Sequence, residues 1–335
     1  MGEKRNKSKK RKHAGLFAFA GVLGALVIGG CVFVYAELDS ISEPENGAAV
    51  VETADGEEAV VQEDYTYQSN VPAVKGITNI LLIGQDRRPG EERARSDSMI
   101  LCSMNENTHQ ITMVSLMRDM YVPIPGHGST RINAAYAYGG MPLLDQTIED
   151  NFGIHIDGNA EVDFEGFMNL IDKMEGVDIE LTAEEAEYLN ANNTGLVDGV
   201  SRDRWNLVPG VNTLDAEQAL AYARTRFIGN SDWERTDRQR TVLAKIAEKV
   251  KGLDPFSQVS LIHSALDYMT TDLGTFKILE LGFKVVANDM NLSNQSYRLP
   301  VEGTYTSESI EGMSVLVPDT AANASYLKQY LGIEQ

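Results

Sequence analysis

Residues 14–36 read AGLFAFAGVLGALVIGGCVFVYA, with no charged side chain over twenty-three positions. At 1.5 Å per residue, a helix over that run is about 35 Å long, enough to cross a bilayer. The preceding MGEKRNKSKKRKH holds seven Lys/Arg and one Glu. A basic N-terminal flank orients such a helix N-in, which places everything after Ala36 outside the cytoplasm. Val34-Tyr35-Ala36 resembles a signal-peptidase site, but cleaved signals carry apolar cores of only about 7–15 residues. Ile28-Gly29-Gly30-Cys31 resembles a lipoprotein box, yet five more apolar residues follow Cys31. An uncleaved signal anchor fits best, and the basic flank argues against a buried cytoplasmic helix.

Beyond the anchor the charge reverses. The tail takes seven of the 29 Lys/Arg and one of the 49 Asp/Glu, leaving 22 against 48, a net charge of −26. Nucleic acid is excluded as a partner, because phosphate would have to approach through that field. Residues 37–75 hold ten Asp/Glu and no base before Lys75, the composition of a self-repelling linker. Cys102 is the one cysteine after the anchor, so no internal disulfide braces the exported part. The chain therefore divides into a cytoplasmic tail (1–13), a transmembrane anchor (14–36), an acidic linker (37–75) and an extracellular domain (76–335).

Within that domain NILLIG (79–84) is a short continuous apolar run, the pattern of a strand buried on both faces. SMILCSM (98–104) and QITMVSLM (110–117) read as two further strands in a hairpin. Helical patterns follow at 134–138 and 142–152, with Gly139-Gly140 between them as a helix end. Further strands are expected at 160–163, 177–181 and 296–301. Helices are expected at 164–174, 214–224, 235–251, 256–271 and 275–288, and after Pro318. On the helix from Arg235, Val242, Leu243, Ile246 and Val250 form one apolar stripe. Strands interleaved with helices predict an α/β fold, a three-layer α/β/α domain around a central mixed sheet, preceded by one transmembrane helix.

The polar residues at the strand ends carry the chemistry. NILLIG runs into Asp86, and QITMVSLM runs into Arg118 and Asp119. Ligands of open α/β sheets bind beyond the carboxyl ends of strands. Arg95-Ser96-Asp97 opens the second strand, and an antiparallel pairing with the first would bring Asp97 to the same rim as Asp86. Each alone reads equally well as a cap or a surface ion pair. Together, two carboxylates at one rim call for a cation or arginines between them. Mg²⁺ takes one or two carboxylates and completes its shell with water and substrate phosphate oxygens.

Arginine is concentrated where it suits anions. Arg224, Arg226, Arg235, Arg238 and Arg240 fall within seventeen residues, without a lysine. The planar guanidinium fork grips phosphate or carboxylate with two donors. Arg235, Arg238 and Gln239 share one helix face near its N-terminus, where free N–H groups attract anions. Arg224 and Arg226 end the preceding helix, with Asp232 in the loop between. Both an anion clamp and a helix pair laced by salt bridges fit that pattern.

NILLIGQD, RSDSMIL, ITMVSLMRDMYVPIPG, RINAAYAYGG, LDAEQALAYARTR and SDWERTDRQR, in that order, resemble the LytR-CpsA-Psr family from about Asn79 to Lys251. The resemblance implies a cell-envelope phosphotransferase. Its members move an anionic glycopolymer (wall teichoic acid, capsule or a related polysaccharide) from undecaprenyl pyrophosphate to peptidoglycan. It implies that Asp86 and Asp97 hold Mg²⁺, with Mn²⁺ as a substitute. Arg95, Arg118, Arg224, Arg226, Arg235 and Gln239 are implied phosphate contacts, with Arg238 a neighbouring candidate. Arg118 and Arg235 would also stabilise the transition state. Asp232 matches a polar residue on the acceptor side and is the first choice for general base; Asp119 is the second. The polyprenyl tail is expected in an apolar tunnel between sheet and helices. Met117-Arg118-Asp119 replaces the usual Pro-Arg-Asp, Arg131-Ile132-Asn133 the usual Lys-Ile-Asn, and Ser231-Asp232 a Gly-Asp pair. Two rival activities use the same residues: a polyprenyl-phosphate-binding regulator without catalysis, and a lipid pyrophosphate hydrolase.

Overall fold

The computed structural model describes residues 50–52, 58–60, 65–85, 95–192, 205–226, 232–253, 257, 261, 268–288, 290–293, 295 and 297–333. The expected anchor, Ala14–Ala36, lies outside them, as do Asp86 and most of the expected helix at 256–271. Among the described residues no helix is long and apolar enough to cross a membrane. A short antiparallel pairing of Val50–Glu52 with Glu58–Val60 lies within the segment expected as an acidic linker. Chain contacts gather into two compact units. One comprises Ser42–Phe164, Thr270–Leu273 and Leu292–Gln335; the other includes Glu165–Met269 and Gly274–Asn291.

The first unit is built on a mixed sheet. Its strands are β1 (Ile77–Gln85), β2 (Ser96–Asn105), β3 (Gln110–Leu116), β6 (Gly158–Val162), β9 (Met269–Thr271), β10 (Asn291–Leu292) and β11 (Tyr297–Leu299). Among the described residues the order is β9-β6-β1-β2-β3-β10, with β11 also paired to β3. β1 runs antiparallel to β2 and parallel to β6, while β3 runs antiparallel to β2 and parallel to β11. Ile80 and Leu81 are both fully buried, so neither face of β1 meets solvent there, as the apolar run predicts. Cys102, on β2, is a buried free thiol, and burial pushes its pKa up to about 12, which makes it inert.

Helix α1 (Asn133–Phe152) breaks at Gly139 and Gly140, the latter at φ 65°, ψ −156°, so the two expected helical runs are one kinked element. Glycine is required on both counts. A Cβ on Gly139 would sit 2.5 Å from Leu143 Cβ, and Gly140 has a positive φ. Residues within the expected linker are tied to this helix: the Tyr67 hydroxyl donates to Glu149 (2.7 Å), and Ser69 and the Ile156 amide donate to the same carboxylate. Two hairpins lie in segments where no strand is expected. One is β4 (Tyr121–Ile124) with β5 (Gly128–Arg131). The other is β12 (Tyr305–Ile310) with β13 (Met313–Pro318), turned at Glu311-Gly312 with positive φ at both residues. Helix α7 (Thr320–Leu331) packs on α1 and β3, and its N-cap is Asp319.

Asp145 of α1 is a carboxyl whose pKa lies well above the usual range, chiefly through burial, with Asp272 and Glu149 adding repulsion and a hydrogen bond from Asn159 opposing it. The unfolded chain ionises Asp145 from about pH 4, whereas the folded chain keeps the proton. The folded state then binds more protons, so this residue costs stability as pH rises from about 4 through its raised value. Asp145→Asn should therefore raise the melting temperature more at pH 8 than at pH 5; an equal shift at both values would contradict this.

The second unit contains α2 (Phe164–Lys173), β7 (Val177–Leu181), α3 (Ala183–Ala191), β8 (Gly210–Leu214), α4 (Ala216–Arg224), α5 (Asp232–Gly252) and α6 (Thr275–Ala287). β7 and β8 pair antiparallel. The expected helix at 256–271 is corrected at its end: Met269–Thr271 is strand, paired on the edge beyond β6. Thr182 and Asp215 close full capping boxes with Glu185 and Gln218, fixing where α3 and α4 begin. Helix α5 starts at Asp232, three residues earlier than expected, and buries Val242, Ile246 and Val250 along the anticipated stripe.

Candidate phosphate site

The antiparallel pairing of β1 with β2 sets opposite ends of the two strands at one rim. Gly84 faces Ser98 and Gln85 faces Ser96, so the register shifts between them and Asp97 is the extra residue. Such a bulge re-aims one side chain out of the ladder. Gly84 permits the close approach, since a Cβ there would lie 3.1 Å from Ser98 Cβ. The Asp97 side chain is 29% exposed and accepts a 2.7 Å hydrogen bond from Arg118 Nη1, just past the carboxyl end of β3. Asp86 follows Gln85 in the chain and lies outside the described residues; Arg95, part-buried, precedes β2 at this rim.

The pairing continues beyond Arg118. Arg118 Nε lies 3.6 Å from Asp119, and Asp119 lies 3.3 Å from Arg131 Nε. Carboxylates and guanidiniums thus alternate from Asp97 to Arg131. The backbone below them is fixed from two sides: the Leu316 amide donates to Asp119 O (2.9 Å) and the Ile132 amide to Met120 O (2.8 Å). Arg131 also donates to Ser314 O at 2.7 Å. A carboxylate held between two guanidiniums is placed to orient both of them.

Behind the rim lies a buried polar trio. Gln85 Nε2 donates to the Tyr136 hydroxyl (3.1 Å) and to Glu161, and Tyr136 donates to Glu161. It holds the residue immediately before Asp86. Gln85 and Tyr136 stand inside quoted motifs, but their partner Glu161 lies on β6, outside any motif. Arg131 was equally legible as a substitution within RINAAYAYGG, although nothing local marks it as the partner of Asp119.

In the other unit the arginines cluster around the end of α4 and the first turns of α5. Arg224 is the last residue of α4 and Arg226 lies two beyond; both are part-exposed. Arg235 is buried and Gln239 part-buried on α5, with Asp232 as the first helical residue. Arg238 departs from the expectation of a phosphate contact. It is 4% exposed, and its fork is spent on protein acceptors: Nε on Glu185 (2.8 Å), Nη1 on Thr225 O (3.2 Å) and Nη2 on Glu234 (3.0 Å). Arg240 is likewise buried and paired with Asp237. An open cleft of about 440 Å³ in this unit is lined by Glu165, Asp172, Asp215 and Glu217, the wrong charge for an anion.

The sequence profile of the LytR_cpsA_psr family matches residues 45–330. The polyisoprenyl-teichoic acid–peptidoglycan teichoic acid transferase TagT of Bacillus subtilis (strain 168) is 34% identical over 261 residues, 75% of this chain and 74% of its own. TagU of Oceanobacillus iheyensis, which bears the same transferase name, is 29% identical over 93% of this chain and 91% of its own. Among solved structures, B. subtilis TagT is similar with a TM-score of 0.59 and 26% identity, covering 88% of this chain and 99% of that one. A TagT structure with bound octaprenyl pyrophosphate lipid aligns with a TM-score of 0.58 and 25% identity, covering 87% and 99%. The ordered motifs, the mixed sheet and these matches agree: the chain belongs to the LytR_cpsA_psr family.

Proposed function

We propose that the chain is a membrane-anchored phosphotransferase that moves an anionic glycopolymer from a polyprenyl pyrophosphate carrier to a peptidoglycan hydroxyl. The observation that carries this reading is the Asp97–Arg118 pair, a part-exposed carboxylate and an arginine fork bonded at 2.7 Å on a strand-end rim. Relatives named as teichoic acid–peptidoglycan transferases, and a relative's structure with a polyprenyl pyrophosphate lipid, support the choice of donor and acceptor.

In this mechanism an acceptor hydroxyl, the C6 hydroxyl of N-acetylmuramic acid, attacks the phosphorus on the glycopolymer side of the pyrophosphate. A new P–O bond forms, the bridging P–O bond breaks, and undecaprenyl phosphate leaves with the bridging oxygen. Asp232 takes the hydroxyl proton. Arg118, oriented by Asp97 and Asp119, faces the charge that develops on the phosphoryl oxygens, and Arg95, Arg224, Arg226, Arg235 and Gln239 hold the pyrophosphate. Asp97 suits a hard cation, because a part-exposed carboxylate at a rim is what Mg²⁺ or Mn²⁺ takes singly or in pairs. Asp86 and Asp97 would hold that ion, and it would supply neutralisation of the pyrophosphate charge. The uncharged run Ala14–Ala36 would anchor the chain N-in, with the catalytic part outside the cytoplasm.

The test uses the full chain in detergent with a short polyprenyl-pyrophosphate glycan, with and without peptidoglycan oligomers. The expected result is carrier turnover that requires the acceptor, stops with EDTA and returns with Mg²⁺ or Mn²⁺. Turnover without acceptor would identify a hydrolase instead. Tight donor binding with neither product would identify a receptor.

A further inference from the structure

Arg238 occupies a position that an apolar residue would ordinarily fill. On α5 the buried residues Arg235, Arg238, Val242, Ile246 and Val250 continue one helical stripe, so Arg238 points inward, where an unpaired guanidinium would be costly. Its three acceptors come from three places. Glu185 is the N3 residue of the α3 capping box; Glu234 lies one turn earlier on α5; and Thr225 O is the carbonyl between Arg224 and Arg226. The Tyr222 ring lies 6.0 Å away, on the last turn of α4. Thr225 is itself 5% exposed, extended at φ −59°, ψ 126°, with its hydroxyl bonded back to Ala221 O at 2.8 Å.

We infer that Arg238 is a positioning residue for the anion clamp: through the Thr225 carbonyl it fixes the backbone that presents Arg224 and Arg226, and Glu185 holds its fork in place. The inference rests on the proposal that Arg224 and Arg226 grip the donor pyrophosphate. The rotamers of long arginines are costly to order, so a clamp anchored at the peptide between them has less freedom left to lose on binding. Arg238→Lys keeps the charge and reaches one acceptor instead of three.

A double-mutant cycle separates this role from direct contact and from general loosening, because only residues acting through one another are non-additive. Binding of farnesyl pyrophosphate to the full chain in detergent is measured for the native protein, Arg238→Lys, Arg224→Ala/Arg226→Ala, and the triple variant. Arg238→Lys is expected to weaken binding about tenfold in the native background and less than twofold when Arg224 and Arg226 are already absent. Glu185→Gln, which leaves the α4–α5 connection untouched, should show the same pattern with a smaller loss, and it serves if Arg238→Lys folds poorly. Equal losses in both backgrounds would overturn the positioning role while leaving the clamp intact. Native-strength binding by Arg224→Ala/Arg226→Ala would overturn the clamp, and this inference with it.

Discussion

Arg118→Ala is expected to lower transfer about 10²–10³-fold, the usual cost of removing one donor aimed at developing charge. The fold should survive. The Arg118 side chain is 18% exposed and pairs with Asp97 at 2.7 Å and Asp119 at 3.6 Å, so its loss removes two ion pairs, each worth about 1 kcal/mol. Backbone bonds from Leu316 and Ile132, not the guanidinium, hold this segment in place. Loss of both pairs therefore predicts a fall in melting temperature of no more than about 8 °C for a domain of this size. Arg118→Lys should recover only part of the rate, since a single ammonium cannot reproduce the fork. Thermal melting run beside a transfer assay checks both claims. An inactive variant that has also unfolded would place Arg118 among residues that maintain the structure.

Phe152→Ala should do the opposite, costing stability and leaving the chemistry of the folded fraction alone. Phe152 is the last residue of α1 and is fully buried, on a helix that packs against β2, β4 and α7. Truncating a buried phenylalanine costs about 3–5 kcal/mol through lost transfer energy and the cavity left behind. For a domain of this size that is a fall of about 6–20 °C in melting temperature. Urea unfolding followed by circular dichroism measures it. A loss below about 1 kcal/mol would mean that the helix end collapses into the gap.

The sequence carried the parts of this structure that are local. NILLIG is a doubly buried strand because Ile80–Ile83 is apolar throughout, and the capping boxes that start α3 at Ala183 and α4 at Ala216 are local to TAEE and DAEQ. The rim followed from strand order: once β1 and β2 are antiparallel, Asp97 must return to the end of β1. What could not be read was pairing at a distance. Arg238 reads as one more phosphate ligand because its partner Glu185 is 53 residues away, although it shares the buried stripe of Val242. Glu161 likewise shows no sign in sequence of closing on Gln85 and Tyr136. The bulge that presents Asp97 is a one-residue mismatch between two strands, and neither strand alone encodes it.

The most direct measurement is the chemical identity of both products, by mass spectrometry, after the full chain has turned over a defined polyprenyl-pyrophosphate glycan in the presence of peptidoglycan oligomers. Attack at the glycopolymer-side phosphorus predicts one phosphate retained in a phosphodiester between glycan and peptidoglycan, with polyprenyl monophosphate released in equal amount. Free polyprenyl pyrophosphate beside a glycan joined without phosphate would contradict it, because the bond broken would then be sugar–oxygen and the arginines would be holding a leaving group instead of the phosphorus under attack.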